Sequence, residues 1–140
     1  GCGACDIIGP LSDTNEAVGV DVVPEAQAVT RTRFPKLQFT LAPIESIAPQ
    51  PCDLLILCEV LEHLADPCQV VKKWLPLART VLIGHPLDEA DAEGEEGHVW
   101  SYTEGDFDNW FPLGGHELVR KEIFPMTCYA RMVLGRGRRV

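Results

Sequence analysis

The stretch Asp53 to Pro67, Asp-Leu-Leu-Ile-Leu-Cys-Glu-Val-Leu-Glu-His-Leu-Ala-Asp-Pro, constrains the fold of this chain more than any other. An apolar run, Leu54 to Leu57, ends in a cluster of ionisable side chains: Glu59, Glu62 and His63. A continuous apolar run bounded by polar residues reads as a strand buried on both faces. Charge just past such a strand lies where open parallel sheets bind ligands, at the carboxyl edge. The segment therefore points to an α/β fold and to the sheet edge at which chemistry takes place.

The rest of the chain supplies matching elements. Ala17 to Val23 reads as a strand, and Pro24 then opens a helix to about Arg33. Leu37 to Leu41 is a second strand, followed by a Pro-rich loop, Pro43 to Pro51. Asp53 to Cys58 is the third. Asp66-Pro67 starts a helix to about Ala78, with Val70, Val71, Trp74 and Leu75 on one face. Thr80 to Gly84 is the fourth strand, and Asp88 to Gly97 an acidic loop. Thr103 opens a short helix, with Asp106 at capping-box distance and Phe107, Trp110 and Phe111 on its apolar side. Glu117 to Phe124 and Thr127 to Leu134 look like a closing antiparallel pair across Pro125-Met126. Strands alternating with helices imply a parallel sheet with helices on its faces.

A chain of 140 residues fits one domain with a real core. No apolar stretch approaches the ~20 residues of a membrane span. The chain opens Gly1-Cys2-Gly3 with neither a leader pattern nor an initiator Met, so we read it as cut from a longer, cytoplasmic protein. Its net charge of -9 disfavours non-specific nucleic-acid binding. Acid concentrates in Asp88 to Glu96, and Arg131, Arg136, Arg138 and Arg139 crowd the end as a solvated tail. Of six cysteines, Cys2 and Cys5 form a C-x-x-C with no second ligand pair, which argues against structural zinc. Cys52 and Cys58 read as small buried residues, and all six as reduced thiols. His85 reads as a loop histidine and His116, after Gly114-Gly115, as exposed.

Three pieces line up toward a function. Gly1-x-Gly3 is a turn that lets a ligand approach the backbone closely. Asp21 ends a strand 18 residues after Gly3, a position from which a carboxylate can accept hydrogen bonds from ribose hydroxyls. The third piece is the strand end at Glu59. With Gly1-Cys2-Gly3, Val18-Gly-Val-Asp21 and Glu59-Val-Leu-Glu-His-Leu-Ala-Asp-Pro67, the chain resembles the class I S-adenosylmethionine-dependent methyltransferases. The resemblance implies a Rossmann-like sheet, mostly parallel with a C-terminal antiparallel pair. It also implies that residues 1–140 are a single methyltransferase domain lacking its first strand. In that family the turn at Gly1, Cys2 and Gly3 passes the methionine part of the cofactor, and the acid matching Asp21 holds the ribose. Val22 would pack on adenine, and Cys58 and Glu59 would border the methionine end. The acid that often contacts the adenine amino group falls on Pro43, which shifts that role to Ile44 or Glu45.

A narrower resemblance joins Gly97-His98-Val-Trp-Ser-Tyr-Thr-Glu-Gly-Asp-Phe-Asp-Asn-Trp110 to the small-RNA 3′-terminal 2′-O-methyltransferases. It implies a divalent metal on Glu59, Glu62, His63 and His98, acting on an RNA end. The spacing i, i+3, i+4 of Glu59, Glu62 and His63 would let one helical turn point them together. The favoured reading has no metal: the glutamates bond backbone near the cofactor, while Trp100, Tyr102, Phe107 and Trp110 are core.

Methyl transfer from a sulfonium is an in-line displacement that depends chiefly on positioning. A hydroxyl or ammonium acceptor also needs a base, and an imidazole titrates near neutral pH. His63 is the first candidate and His98 the second. The expected protein is a methyltransferase acting on a small molecule, and a non-catalytic scaffold of the same fold is the competing class. The sequence indicates no oligomeric state.

Overall fold

The computed structural model describes residues 1–86, 97–123 and 131–137. Residues 1–48 and 49–140 form two compact units.

The first unit is a β-α-β element. Strand β1 (Val18–Asp21) pairs in parallel with β2 (Gln38–Leu41), Val18 opposite Gln38 and Asp21 opposite Leu41. Helix α1 (Pro24–Arg33) joins them. Pro24 takes the first turn, where its missing N–H has no cost, and Glu25 and Arg31/Arg33 sit at the ends that suit their charges. The helix stops before Pro35, with the Phe34 N–H donating to the Thr30 carbonyl. Cys5, Ala17 and Leu37 form the buried cluster, packed by Cys2, Ile8, Phe34 and Phe39.

The second unit contains a four-stranded sheet of order β3-β4-β6-β5. Strand β3 (Cys52–Cys58) runs parallel to β4 (Ala78–Gly84). Strands β5 (His116–Ile123) and β6 (Arg131–Gly137) are antiparallel, and β6 also pairs antiparallel with β4. Parallel pairing thus occurs where helices connect the strands and antiparallel pairing at the end, as expected. The β5–β6 connection is longer than the two residues expected, since β6 begins at Arg131. Arg131 and Arg136 belong to this strand rather than to a tail. The acidic loop, the Pro125-Met126 turn, Cys128 and the terminal Arg138-Arg139 lie outside the described residues.

Helix α2 (Pro67–Trp74) begins at Asp66, whose Oδ1 accepts from the Gln69 N–H at 3.0 Å. It ends earlier than Ala78 because Pro76 cannot donate, and Leu75–Leu77 tighten into a 3-10 turn. Val70, Val71 and Leu75 are buried and Trp74 half-buried. Helix α3 (Glu104–Leu113) opens with the expected capping box between Thr103 and Asp106, and Trp110 and Phe111 are buried. The Phe107 side chain lies outside the described set. Gly114 is required by packing, since a Cβ there would lie 2.3 Å from the Leu75 Cβ.

Burial departs from the sequence reading at several positions. The apolar run of β3 is not covered on both faces: Leu55 and Leu57 are buried, but Leu54 is 41% exposed. Cys52, at the start of that strand, is exposed rather than buried. His116 is buried, its Nδ1 3.0 Å from the Gly114 carbonyl and its Nε2 2.9 Å from that of Ala78.

Candidate active site

In the first unit the glycine turn and Asp21 are joined directly. The Gly3 N–H donates to Asp21 Oδ2 at 2.7 Å, and the Val22 and Val23 N–H groups donate to Oδ1 at 2.7 and 3.0 Å. The Cys2 N–H donates to the Val20 carbonyl at 2.9 Å, which ties the turn to β1. Gly3 has φ +50°, the left-handed region, with open space where a side chain would stand. A Cβ on Gly1 would come within 3.1 Å of Asp21 Oδ2.

Burial pushes the Asp21 carboxyl up, but the amides of Gly3 and Val23, the positive charge at the amino group of Gly1 and the amide of Val22 together hold the group below its ordinary value. Asp21 is therefore a seated anion at neutral pH. A carboxylate offers about four lone-pair sites, and three amides occupy three of them. One site on Oδ2 remains, enough for one hydroxyl rather than a two-oxygen grip on a diol. Val22, the residue expected against adenine, is 59% exposed. Ile44 and Glu45 lie half-buried in a 3-10 turn, Ile44–Ser46, after Pro43. The Ala42 N–H donates to the Asp21 carbonyl at 2.9 Å, placing the start of that loop at the end of β1.

In the second unit β3 ends at Cys58, which is half-buried, and Glu59 follows at φ +53° with its N–H on the Gly84 carbonyl. The expected helical turn is a single 3-10 turn, Leu61–His63. Glu62 is buried and His63 exposed, so Glu59, Glu62 and His63 do not share one helix face. What brings the ionisable groups together is a strap, residues 97–102, laid along that turn. The Val99 and Trp100 N–H groups donate to the Glu62 carbonyl at 2.8 and 3.2 Å. Trp100 Nε1 donates to the Leu64 carbonyl at 2.7 Å, and the Tyr102 hydroxyl to that of Leu61 at 3.0 Å.

The strap carries His98 to His63, ring centroids 4.7 Å apart and edge-on. His63 Nδ1 lies 2.9 Å from the Gly97 carbonyl. That oxygen can only accept, so Nδ1 carries a proton in this contact and Nε2 is left as the ring's other hydrogen-bonding atom. Ligand atoms of Glu62, His63 and His98 lie within 4.8 Å of one another. Desolvation first, then the charge and hydrogen bond of Glu62, raise Glu59 to about 7, against the pull of His98 and His63. Burial pushes the Cys58 thiol up to about 11 and the Tyr102 hydroxyl above its ordinary value.

The strap contacts have no local sequence signal. Tyr102, read as core, is buried but also fastens the strap. Trp100, read as core, is 42% exposed. His85 is fully buried beyond β4, its ring 4.5 Å from that of Tyr102.

Residues 1–79 match a family model described as a methyltransferase domain, over more than half the chain. The chain belongs to the methyltransferase domain family. The expected class, S-adenosylmethionine-dependent methyltransferases and hence an enzyme, is borne out by that match. Similar solved structures include magnesium protoporphyrin IX methyltransferase from Synechocystis with bound SAM (TM-score 0.79, 15% identity, 99% of this chain and 67% of that one). N-methyltransferase NodS from Bradyrhizobium japonicum is another (TM-score 0.79, 16% identity, 99% and 83%). A pericyclic reaction enzyme shares the fold too (TM-score 0.70, 11% identity, 99% and 42%), so the fold by itself does not select the reaction. At these identities the likeness establishes the Rossmann-like methyltransferase fold. No curated protein matches the sequence. Among the described residues no helix is long and apolar enough to cross a membrane.

Proposed function

We propose that this methyltransferase uses S-adenosylmethionine to methylate a small molecule carrying a hydroxyl or amine, with His63 as the base. The observation that supports this reading is the contact of His63 Nδ1 with the Gly97 carbonyl at 2.9 Å: with Nδ1 donating there, Nε2 is the nitrogen left to take a proton. His98, edge-on at 4.7 Å, is the second candidate. Glu59, raised to about 7, shares the proton load near neutral pH.

The first unit fits the nucleoside end of the cofactor. Gly1 lacks a side chain where a Cβ would crowd Asp21, and Gly3 leaves open space. Asp21 accepts one ribose hydroxyl on the remaining site of Oδ2. Val22 offers an apolar face to adenine, and Ile44 and Glu45 border the same strand end. When bound, the cofactor supplies an electrophilic methyl on a sulfonium. The chain's own work is to hold the nucleophile in line and remove its proton. A protein of the same fold that is named for methylating magnesium protoporphyrin IX, a small molecule, supports that acceptor class.

Replacing His63 by Ala is expected to lower kcat by about 10²–10⁴-fold while leaving cofactor affinity by calorimetry unchanged. Full turnover by His63→Ala removes the base assignment. Failure of the wild-type protein to bind S-adenosylmethionine favours the scaffold reading instead.

A second reading has one observation in its favour, the convergence of Glu62, His63 and His98 within 4.8 Å. Carboxylate and imidazole ligands suit Mn, Fe or Zn, and His63 already donates its other ring nitrogen to a carbonyl, as metal-bound histidines do. This reading expects metal-dependent transfer to RNA ending in a free 2′-hydroxyl, abolished by Glu62→Ala. Chelator-insensitive turnover on small acceptors dismisses it.

A further inference from the structure

The turn that carries Gly3 also carries two thiols. Cys2 and Cys5 are spaced C-x-x-C, and the Cys5 N–H donates to the Cys2 carbonyl at 2.9 Å, closing a tight turn. That turn brings the two Sγ atoms to 3.2 Å. Two left-handed residues, Gly3 at φ +50° and Cys5 at φ +59°, give it its shape. Gly19 on β1 opens the space beneath: a Cβ there would lie 2.7 Å from Cys5 Sγ and 3.0 Å from Cys2 Sγ. Cys5 is buried, Cys2 is half-buried, and both are free thiols. A disulfide requires an S–S distance of about 2.05 Å, so the pair needs a contraction of roughly 1 Å.

We propose that Cys2 and Cys5 are a reversible dithiol–disulfide site, oxidised by a small-molecule disulfide, and that closing it weakens cofactor binding at the glycine turn. The second half rests on the cofactor reading given above. The Cys2 thiolate attacks one sulfur of glutathione disulfide and expels a glutathione thiolate, leaving a mixed disulfide. Cys5 loses its proton to solvent and attacks Cys2 Sγ, forming the Cys2–Cys5 bond and expelling the second glutathione. In sum the protein loses two hydrogens, and one glutathione disulfide becomes two glutathiones. The link to the ligand is short: the Cys2 amide holds the Val20 carbonyl, and the next amide, Gly3, holds Asp21 Oδ2. Drawing the sulfurs together moves the peptide units that carry both bonds. Burial and the hydrogen bond with Cys5 raise the Cys2 thiol to about 12. Oxidation is accordingly slow at neutral pH and quickens with alkali.

The test exposes the whole protein to glutathione disulfide, alkylates the remaining thiols and maps the peptides. The expected product links residues 2 and 5 with the loss of two hydrogens, and dithiothreitol reverses it. Calorimetry with S-adenosylmethionine is expected to show about tenfold weaker affinity after oxidation, restored by reductant. Cys5→Ser should form no link between residues 2 and 5, and mapping should find it stopped at the glutathione mixed disulfide on Cys2, which dithiothreitol removes. Since Cys5 is buried, Cys2→Ser provides an independent check by mapping and must also lack the link. Recovery of both thiols alkylated after exposure overturns the proposal, and a link that leaves affinity unchanged overturns the coupling. A reduced protein that binds no cofactor sinks the cofactor reading and the coupling together, while mapping alone then decides whether the disulfide forms.

Discussion

Asp21 is held as an anion by three backbone amides, so its charge is coupled to folding. Its folded pKa lies below the ordinary 3.8. Its contribution to stability is thus complete above that value and is lost as pH falls through it toward the folded pKa. Thermal melts between about pH 6 and about pH 3 should show the wild type losing more stability than Asp21→Asn. The same variant should bind S-adenosylmethionine roughly tenfold more weakly or worse, because an amide cannot accept the Gly3 amide and a hydroxyl as an anion does. Glu59 has the opposite sign. Its folded value of about 7 exceeds the ordinary 4.5, so the folded protein binds more protons between the two and stability falls as pH rises. Glu59→Gln should flatten that slope and gain on the wild type above neutral pH. The side chain is exposed and solvent screens part of the effect, so the test is the sign of the slope.

Helices and strands were largely legible because their signals are local. Pro24, Asp66-Pro67 and Thr103 each mark a helix start that the structure retains, and α1 spans Pro24–Arg33 as its pattern predicts. Where local reading misled, a distant group decided. His116 follows two glycines and looks exposed, yet its ring is caught between the carbonyls of Gly114 and Ala78. Cys52 adjoins an apolar run but begins the strand, where cover is thin. The strongest packing test belongs to α3. Phe111 is fully buried, and Phe111→Ala should destabilise the protein by about 3–5 kcal/mol in chemical denaturation. Thr103→Ala, which removes half of the capping box, should cost about 1 kcal/mol. Equal losses from the two would show that the core argument for α3 is wrong.

Over the whole chain, the α/β class followed from the alternation of elements, and the family from short motifs at the glycine turn, Asp21 and the end of β3. The site did not follow so completely. Spacing alone put Glu59, Glu62 and His63 on one helical face, whereas the protein uses a 3-10 turn and brings in His98 on a strap that binds 35 or so residues away in sequence, a contact no local pattern encodes. Net charge acts at this scale too. With -9 overall, the protein should not retard a random RNA at about 0.15 M salt, because too few cations face phosphate. A salt-sensitive gel shift with random RNA would contradict that and revive the RNA-end reading.

Glu59 occupies a backbone conformation that glycine would adopt freely, at φ +53°. Keeping a glutamate there costs about 1 kcal/mol or more, which the surrounding structure must absorb. Under the proposed function, the position is one where heat resistance and turnover pull in opposite directions. Selection for survival at high temperature would drift toward glycine, and selection for catalysis would restore the carboxylate.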